Sequence, residues 1–328
     1  MNKNFSLFSL LFFLILSACE LSQTYLKERF DTQNLSLCTL NLFNQQENPR
    51  NKNLSWVGDW VFRRKRLLVA EKTFFEEQPD LLFFQEALSK ANDRNNSDEN
   101  LLKSSGLKGY DFKRFKTRDL VSSSEVESLI YSASNSIKFS DSHSSLWSFG
   151  QDGYLSVTSA EYKSKPLLLF NVQMPRKDSI HIASWYSFIE KRIKGVLAQS
   201  GICANRVIVA GSFLGKVNHP SYINFLRSLS LKDSSSGFCE NKEQCFTRSN
   251  ENEISQQLFD VFLREQIDRV LVHTSAEVIS ASLAFTNKVP APIKFKEKYG
   301  LVNLFTSERF GWKTSVRLAS CPKKGYIF

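Results

Sequence analysis

The 328-residue chain has no apolar run long enough to cross a bilayer, no Pro- or Gly-rich linker and no internal repeat. A spanning helix needs about 20 apolar residues. The apolar stretch from Phe5 to Leu16 is shorter than that and is broken by Ser6 and Ser9. With no linker to divide it, the chain reads as one large domain with a sizeable core. Acidic residues are also in short supply, 33 against 43 Lys and Arg, for a net charge of +10. That balance favours anionic partners such as nucleic acid or phospholipid head groups, and equally fits a plain solvated surface.

The first residues are ordered by type. Lys3 gives a short positive region, Phe5 to Leu16 an apolar one, and Leu16-Ser17-Ala18-Cys19 closes it with small residues and a cysteine. This order is that of an export signal, too short for a membrane span. It resembles the lipobox of bacterial lipoproteins. The resemblance implies cleavage after residue 18 and acyl chains, palmitate among them, on Cys19. Several chains on one residue hold a protein firmly to a membrane. Glu20 follows, where the lipoprotein class associates Asp with inner-membrane retention, so the expectation is an outer-membrane lipoprotein of the bacterial envelope. Lys3 is the single charge ahead of Cys19, so the mature chain carries +9. The expected organisation is a signal peptide over 1–18, a lipidated tether over 19–33 and one domain over 34–328.

Setting Cys19 aside leaves Cys38, Cys203, Cys239, Cys245 and Cys321, an odd number. Cys239 and Cys245 bracket a short polar segment and are the candidate disulfide. The sequence leaves the remaining connectivity open.

Short β runs alternate with amphipathic helices. Strands are expected over 35–43, 81–84, 167–172, 207–210, 270–272 and 314–318. Val57, Trp60, Val61, Leu67, Leu68, Phe74 and Phe75 recur at helical spacing. So do Ile182, Trp185, Ile189, Ile193 and Val196. Residues 93–100 and 232–236 read as polar loops. Strands mixed with helices throughout exclude an all-α chain and a simple all-β one.

Two strand ends carry polar residues that a buried strand does not otherwise need. One is Thr39-Leu40-Asn41-Leu42-Phe43, the other Pro79-Asp80-Leu81-Leu82-Phe83-Phe84-Gln85-Glu86. A strand ending in Asn, a helix, then a Pro-Asp strand ending in Gln-Glu resembles the endonuclease/exonuclease/phosphatase superfamily. Further landmarks follow in order. Gln151 to Val157 resembles the family's Lys-Gly strand. Asn171-Val172-Gln173 stands where the family has Asn-Thr-His. Gly211-Ser212-Phe213-Leu214 stands at Gly-Asp-Phe-Asn, and Ile267-Asp268-Arg269 at its Asp strand. Ser307-Glu308-Arg309 stands at Ser-Asp-His. The resemblance covers residues 34 to 320. It implies a DNase I-like, four-layered α/β (α+β) β-sandwich flanked by helices. It also implies metal-dependent phosphodiester hydrolysis.

That chemistry needs a divalent ion on the phosphate, an amide and carboxylate pair to place water, and a histidine near the scissile bond. Asn41, Glu86 and Asp268 are retained. Gln173 replaces a histidine, Ser212 and Leu214 an Asp and an Asn, and Glu308 and Arg309 a final Asp and His. Gln hydrogen-bonds but takes no proton at neutral pH, and Leu214 has no polar side-chain atom. Arg309 can bind phosphate but cannot act as a base. One lost acid–base group costs about 10²–10⁴ in rate. In the family, Asp268 would orient the residue at 173. Asn41 and Glu86 form a candidate half-site for Mg²⁺, an ion that often needs only one or two carboxylates. His143, His181, His219 and His273 match no motif position, and the nearest echo of a motif, Ser140-Asp141-Ser142-His143, reads as a Ser-rich loop. The expected function is an envelope-anchored binding module, a pseudoenzyme held by Cys19 and facing an anionic ligand or a protein partner. The alternative is an active Mg²⁺-dependent phosphodiesterase, nuclease-like or sphingomyelinase/phospholipase-like, with relocated carboxylates.

Overall fold

The computed structural model describes residues 34–42, 79–88, 111–118, 125–132, 137–149, 153–175, 180–239, 245–249, 264–286, 289–290, 293, 297, 303–304 and 310–322. Residues 1–33, the helical pattern over 57–75, the loop over 93–100, Gln151, Glu308 and Arg309 lie outside the described residues.

Two six-stranded mixed sheets stack as a sandwich. The first contains β1 (Leu35–Asn41), β2 (Leu81–Leu88), β3 (Asp111–Arg118) and β4 (Glu125–Ser132). It is completed by two late strands, β13 (Glu277–Ala284) and β16 (Gly311–Arg317), in the order β13-β16-β1-β2-β4-β3. The second contains β5 (Ile137–Phe149), β6 (Gly153–Tyr162), β7 (Lys165–Gln173), β8 (Val207–Ser212), β9 (Leu231–Asp233) and β12 (Asp268–His273), ordered β5-β6-β7-β8-β12-β9. Two-residue ladders pair β10 (Arg248–Ser249) with β11 (Arg264–Glu265), and β14 (Val289–Pro290) with β15 (Asn303–Leu304).

Each sheet has one parallel pair at its middle, β1 with β2 and β7 with β8. Parallel strands need cover on both faces, and their sequences are near-continuous apolar runs for that reason. Leu35, Leu37, Leu81 and Phe83 of the first sheet meet Leu167, Leu169, Ile208, Ala210, Val270 and Val272 of the second. The alternate residues of the second sheet, Leu168, Phe170, Val172 and Val209, face the helices α1 (Ile182–Ser200) and α2 (Pro220–Ser228). α1 buries Ile182, Tyr186, Ile189, Ile193 and Val196, one stripe at three- and four-residue spacing. It ends at Gly201, whose φ of 66° is the left-handed cap that favours glycine.

Disulfides join Cys239 to Cys245 and Cys203 to Cys321, and Cys38 is a buried thiol in β1. Of two segments expected as loops, 140–143 is strand throughout, while 232–236 begins in a strand and continues as a turn. Residues 140–143 lie in the long edge strand β5, where Ser142 and Ser144 bond the β6 hydroxyls of Ser159 and Thr158. Lys232 lies in β9, and Asp233, Ser234 and Ser235 after it are buried. Their polar groups are satisfied internally: Tyr222 Oη donates to Asp233 Oδ2 at 2.7 Å, and Trp312 Nε1 to Ser234 Oγ at 3.0 Å. A buried polar turn is stable when its groups are paired in this way.

Candidate functional site

Strand direction brings the retained and the replaced motif residues to one end of the sandwich. In register, Asn41 faces Gln85 across the first parallel pair, Gln173 faces Ser212 across the second, and Asp268 faces Ser212 from the antiparallel β12. All five ends point the same way. Asn41, Gln173 and Asp268 are fully buried, and Ser212 and Glu86 are nearly so.

Asn41 is the hub. Its Nδ2 lies 3.1 Å from Glu86 Oε1, 2.7 Å from Gln173 Oε1 and 3.3 Å from Ser212 Oγ. Ser212 Oγ in turn donates to Asp268 Oδ1 at 2.6 Å. Gln173 turns its own Nε2 onto the Met174 carbonyl at 3.1 Å. The network ties both sheets together through side chains alone. It also fixes the amide orientation of Asn41, since an oxygen in place of the nitrogen would face the Glu86 carboxylate.

Glu86 is placed by a bulge. The β2–β4 register slips between Phe84 and Ala87, so that Gln85 and Glu86 together oppose one residue of β4. Glu86 takes a φ of 53°, and its N–H donates to Tyr154 Oη at 3.0 Å. Tyr154 itself is buried and pairs with Gln173 across β6 and β7.

One layer deeper a second polar network crosses the interior. Gln85 Nε2 donates to Asn171 Oδ1 at 2.6 Å and to Thr39 Oγ1 at 2.9 Å. Asn171 Nδ2 donates to the Phe84 carbonyl and to Ser128 Oγ, both at 2.8 Å. Ser128 Oγ and Ser156 Oγ are 2.6 Å apart.

The loop after β8 is held from below. Arg269, fully buried, donates through Nη2 to the Gly215 carbonyl at 2.7 Å, and its guanidinium carbon lies 4.2 Å from the Tyr222 ring centre. Burial, with the nearby Asp233 carboxylate adding to it, holds the Tyr222 phenol well above the ordinary range. Leu214 follows the same loop as a half-buried apolar contact to the helix-side core. Its carbonyl accepts from Tyr186 Oη at 2.7 Å.

No family model and no curated protein sequence matches the chain. Solved structures do. A mannosyl-6-phosphatase of Bacteroides thetaiotaomicron aligns over 86% of this chain and 99% of its own, at TM-score 0.63 and 18% identity. The human Nocturnin catalytic domain, solved with a bound sulfate, aligns over 88% and 94% at TM-score 0.60 and 12% identity. TDP2 from D. rerio, in complex with a single-strand DNA product, aligns over 87% and 99% at TM-score 0.57 and 13% identity. The fold is that of the endonuclease/exonuclease/phosphatase superfamily.

The superfamily fold therefore gathers Asn41, Glu86, Gln173, Ser212 and Asp268, while Leu214 faces away into the apolar core. Asp268 is bonded to Ser212, the residue beside it in register. None of the four histidines is seen in this network. His219 caps α2 through Nδ1, which accepts from Ser221 N–H at 3.2 Å, and His273 is bonded to Ser275. Tyr154 was missed in the sequence, since a lone Tyr in a β run reads as core.

The superfamily chemistry implies a divalent ion. Among the described residues no group of three or more His, Cys, Asp or Glu is arranged to hold one. Asn41 turns its nitrogen, not its oxygen, toward Glu86, and a hard cation takes oxygen ligands. As arranged, the described residues do not fit Mg²⁺.

Proposed function

We propose that the chain is a lipid-anchored envelope protein whose superfamily domain binds an anionic ligand without hydrolysing it. One observation carries the reading. Asn41 spends its amide on Gln173 and Ser212 as well as on the Glu86 carboxylate, so neutral partners stand where the fold's chemistry needs a histidine and a further carboxylate. Loss of several such groups leaves a rate near the floor. The sulfate bound by Nocturnin and the DNA product bound by TDP2 support an anionic ligand, as does the net charge. Two disulfides support an oxidising compartment outside the cytosol, in keeping with the lipobox ending at Cys19.

The competing reading is an active Mg²⁺-dependent phosphodiesterase. Glu86 favours it, because a non-glycine residue held at φ 53° carries strain of the kind found at working sites. Calorimetry with Mg²⁺ and Mn²⁺, wild type beside Glu86→Ala, separates the two, together with a phosphodiesterase screen. The binding-module reading expects no hydrolysis in either protein. Metal-dependent turnover that disappears in Glu86→Ala would overturn it.

A further inference from the structure

β5 is the outermost strand of its sheet, and its two halves are guarded differently. An outer strand offers a row of unpaired N–H and C=O groups, which proteins usually blunt with charge, proline or a bulge. The first half follows that rule. Lys138 and Asp141 are exposed charges, and Asp141 is paired with Lys113 of β3. The register slips between Ser140 and Ser145, so that Asp141 to Ser144 stand against Thr158 alone. Over Ser145 to Phe149 none of these devices remains. The segment reads Ser-Leu-Trp-Ser-Phe and pairs residue for residue with Val157 back to Gly153 of β6. Leu146 and Trp147 are half-buried.

Alternation gives this open edge two faces. Leu146 pairs with Ser156 and turns toward the gap between the sheets, whereas Trp147 pairs with Leu155 and turns toward α1. Helical spacing sets Trp185, Phe188 and Arg192 on the flank of α1 beside β5. Phe149 meets both rings there, Trp185 at 5.3 Å and Phe188 at 5.1 Å between ring centres. Arg192 is exposed, and its guanidinium lies between two rings, 5.4 Å from the Trp147 centre and 5.2 Å from that of Phe188. Among the described residues no carboxylate is spent on it. Glu190, the one acidic residue of α1, is bonded to Lys194 at 2.7 Å on the opposite flank.

We propose that an extended acidic segment of a partner protein adds to the sheet along Ser145 to Phe149, its backbone pairing with the open edge and a carboxylate side chain meeting Arg192. An added strand lies about 4.8 Å from β5. Its side chains on the α1 face fall beside the guanidinium, whose planar fork suits a carboxylate. In such pairing the main-chain bonds supply affinity and the alternate side chains supply selectivity. Two other occupants fit less well. A nucleic acid needs free ring faces to stack on, and the Trp147 and Phe188 rings are taken by Arg192 on one side and the core on the other. A second copy added antiparallel brings its own Arg192 to the same face, and each copy carries +10. The surface is separate from the network around Asn41 and does not depend on how that network is read.

The test uses the whole chain and a fluorescein-labelled peptide that alternates glutamate with valine, read by anisotropy. Two further versions are N-methylated, one at every glutamate and one at every valine. Each keeps all side chains and blocks the backbone donors of one edge. The parent peptide should bind, one methylated version should bind like it, and the other should bind about tenfold or more weakly. Arg192→Glu should weaken the parent by a similar factor and take up the counterpart with lysine for glutamate. Its melting temperature should match wild type, because Arg192 is exposed. Failure of the parent peptide to bind overturns the proposal, as does binding that ignores Arg192→Glu or is equal for both methylated versions. Tighter binding of an oligothymidylate of equal charge overturns it in favour of nucleic acid. Sedimentation as a dimer that Trp147→Glu breaks overturns it in favour of a second copy.

Discussion

Two polar layers cross the interior between the sheets, and they differ in charge. The deeper layer, Thr39, Gln85, Asn171, Ser128 and Ser156, is neutral and internally satisfied. The upper layer, at the strand ends, is neutral at Asn41, Gln173 and Ser212. Among the described residues, Glu86 and Asp268 bring carboxylates to it, and each accepts a hydrogen bond from a neutral neighbour. A layer built for reaction holds unpaired charge in readiness. A layer built for structure leaves no donor or acceptor unmatched, because each one stranded costs about 1–3 kcal/mol. By that measure the upper layer resembles the lower everywhere but at its two carboxylates.

The strongest way to test the comparison is to remove one hub from each layer. Asn171→Ala removes one partner each from Gln85 Nε2, the Phe84 carbonyl and the Ser128 hydroxyl, all out of reach of water, and leaves a cavity at the centre of the network. Urea denaturation should show a loss of about 4 kcal/mol. Asn41→Ala takes the donor from Gln173 Oε1 and one of the contacts from Ser212 Oγ, while Glu86, at the edge of solvent, can turn to water. Its expected cost is about 2–3 kcal/mol. Residues kept for chemistry are commonly neutral or harmful to stability. An Asn41→Ala variant as stable as wild type would therefore break the resemblance.

Much of this was legible in the sequence, and the rest failed for identifiable reasons. The parallel pairs β1/β2 and β7/β8 are apolar runs with polar ends, so both their positions and their superfamily order could be read. β5 could not. It is a sheet edge whose serines bond the hydroxyls of β6, so it shows no apolar alternation. β9 was hidden because Asp233 and Ser234 are buried by pairing with Tyr222 and Trp312, partners far off in sequence. The Cys203–Cys321 bridge spans 118 residues, and spacing says nothing about such a pair. At the site, each replacement was visible singly. That Gln173 and Ser212 share one donor on Asn41 is a fact of the folded sandwich alone.

A smaller effect comes from putting charge back. Ser212→Asp sets a second carboxylate against Asp268, where Ser212 Oγ now sits 2.6 Å from Oδ1. Like charges so close repel. The variant should lose about 2 kcal/mol at neutral pH and recover as the pH falls and a carboxyl protonates. Mg²⁺ should raise its melting temperature while leaving wild type unmoved, since a cation offsets the repulsion. A wild type stabilised as much as the variant would show that the upper layer still holds metal.

The finest distinction lies in Glu86, the member of the upper layer that does not resemble the lower one. Its φ of 53° disfavours any side chain with a Cβ, by about 1 kcal/mol or more. Glu86→Ala and Glu86→Gly both discard the carboxylate and its bond to Asn41, so their difference isolates the backbone. In an ordinary strand alanine is the more stable of the two. Here glycine should exceed alanine by about 1 kcal/mol in urea denaturation. If alanine wins instead, the bulge relaxes freely, and the strain that favours a working carboxylate is not there. If glycine wins, the fold holds Glu86 against its own preference. The upper layer then keeps one position under tension where the lower layer has none, and ligand contact should be sought first at that carboxylate.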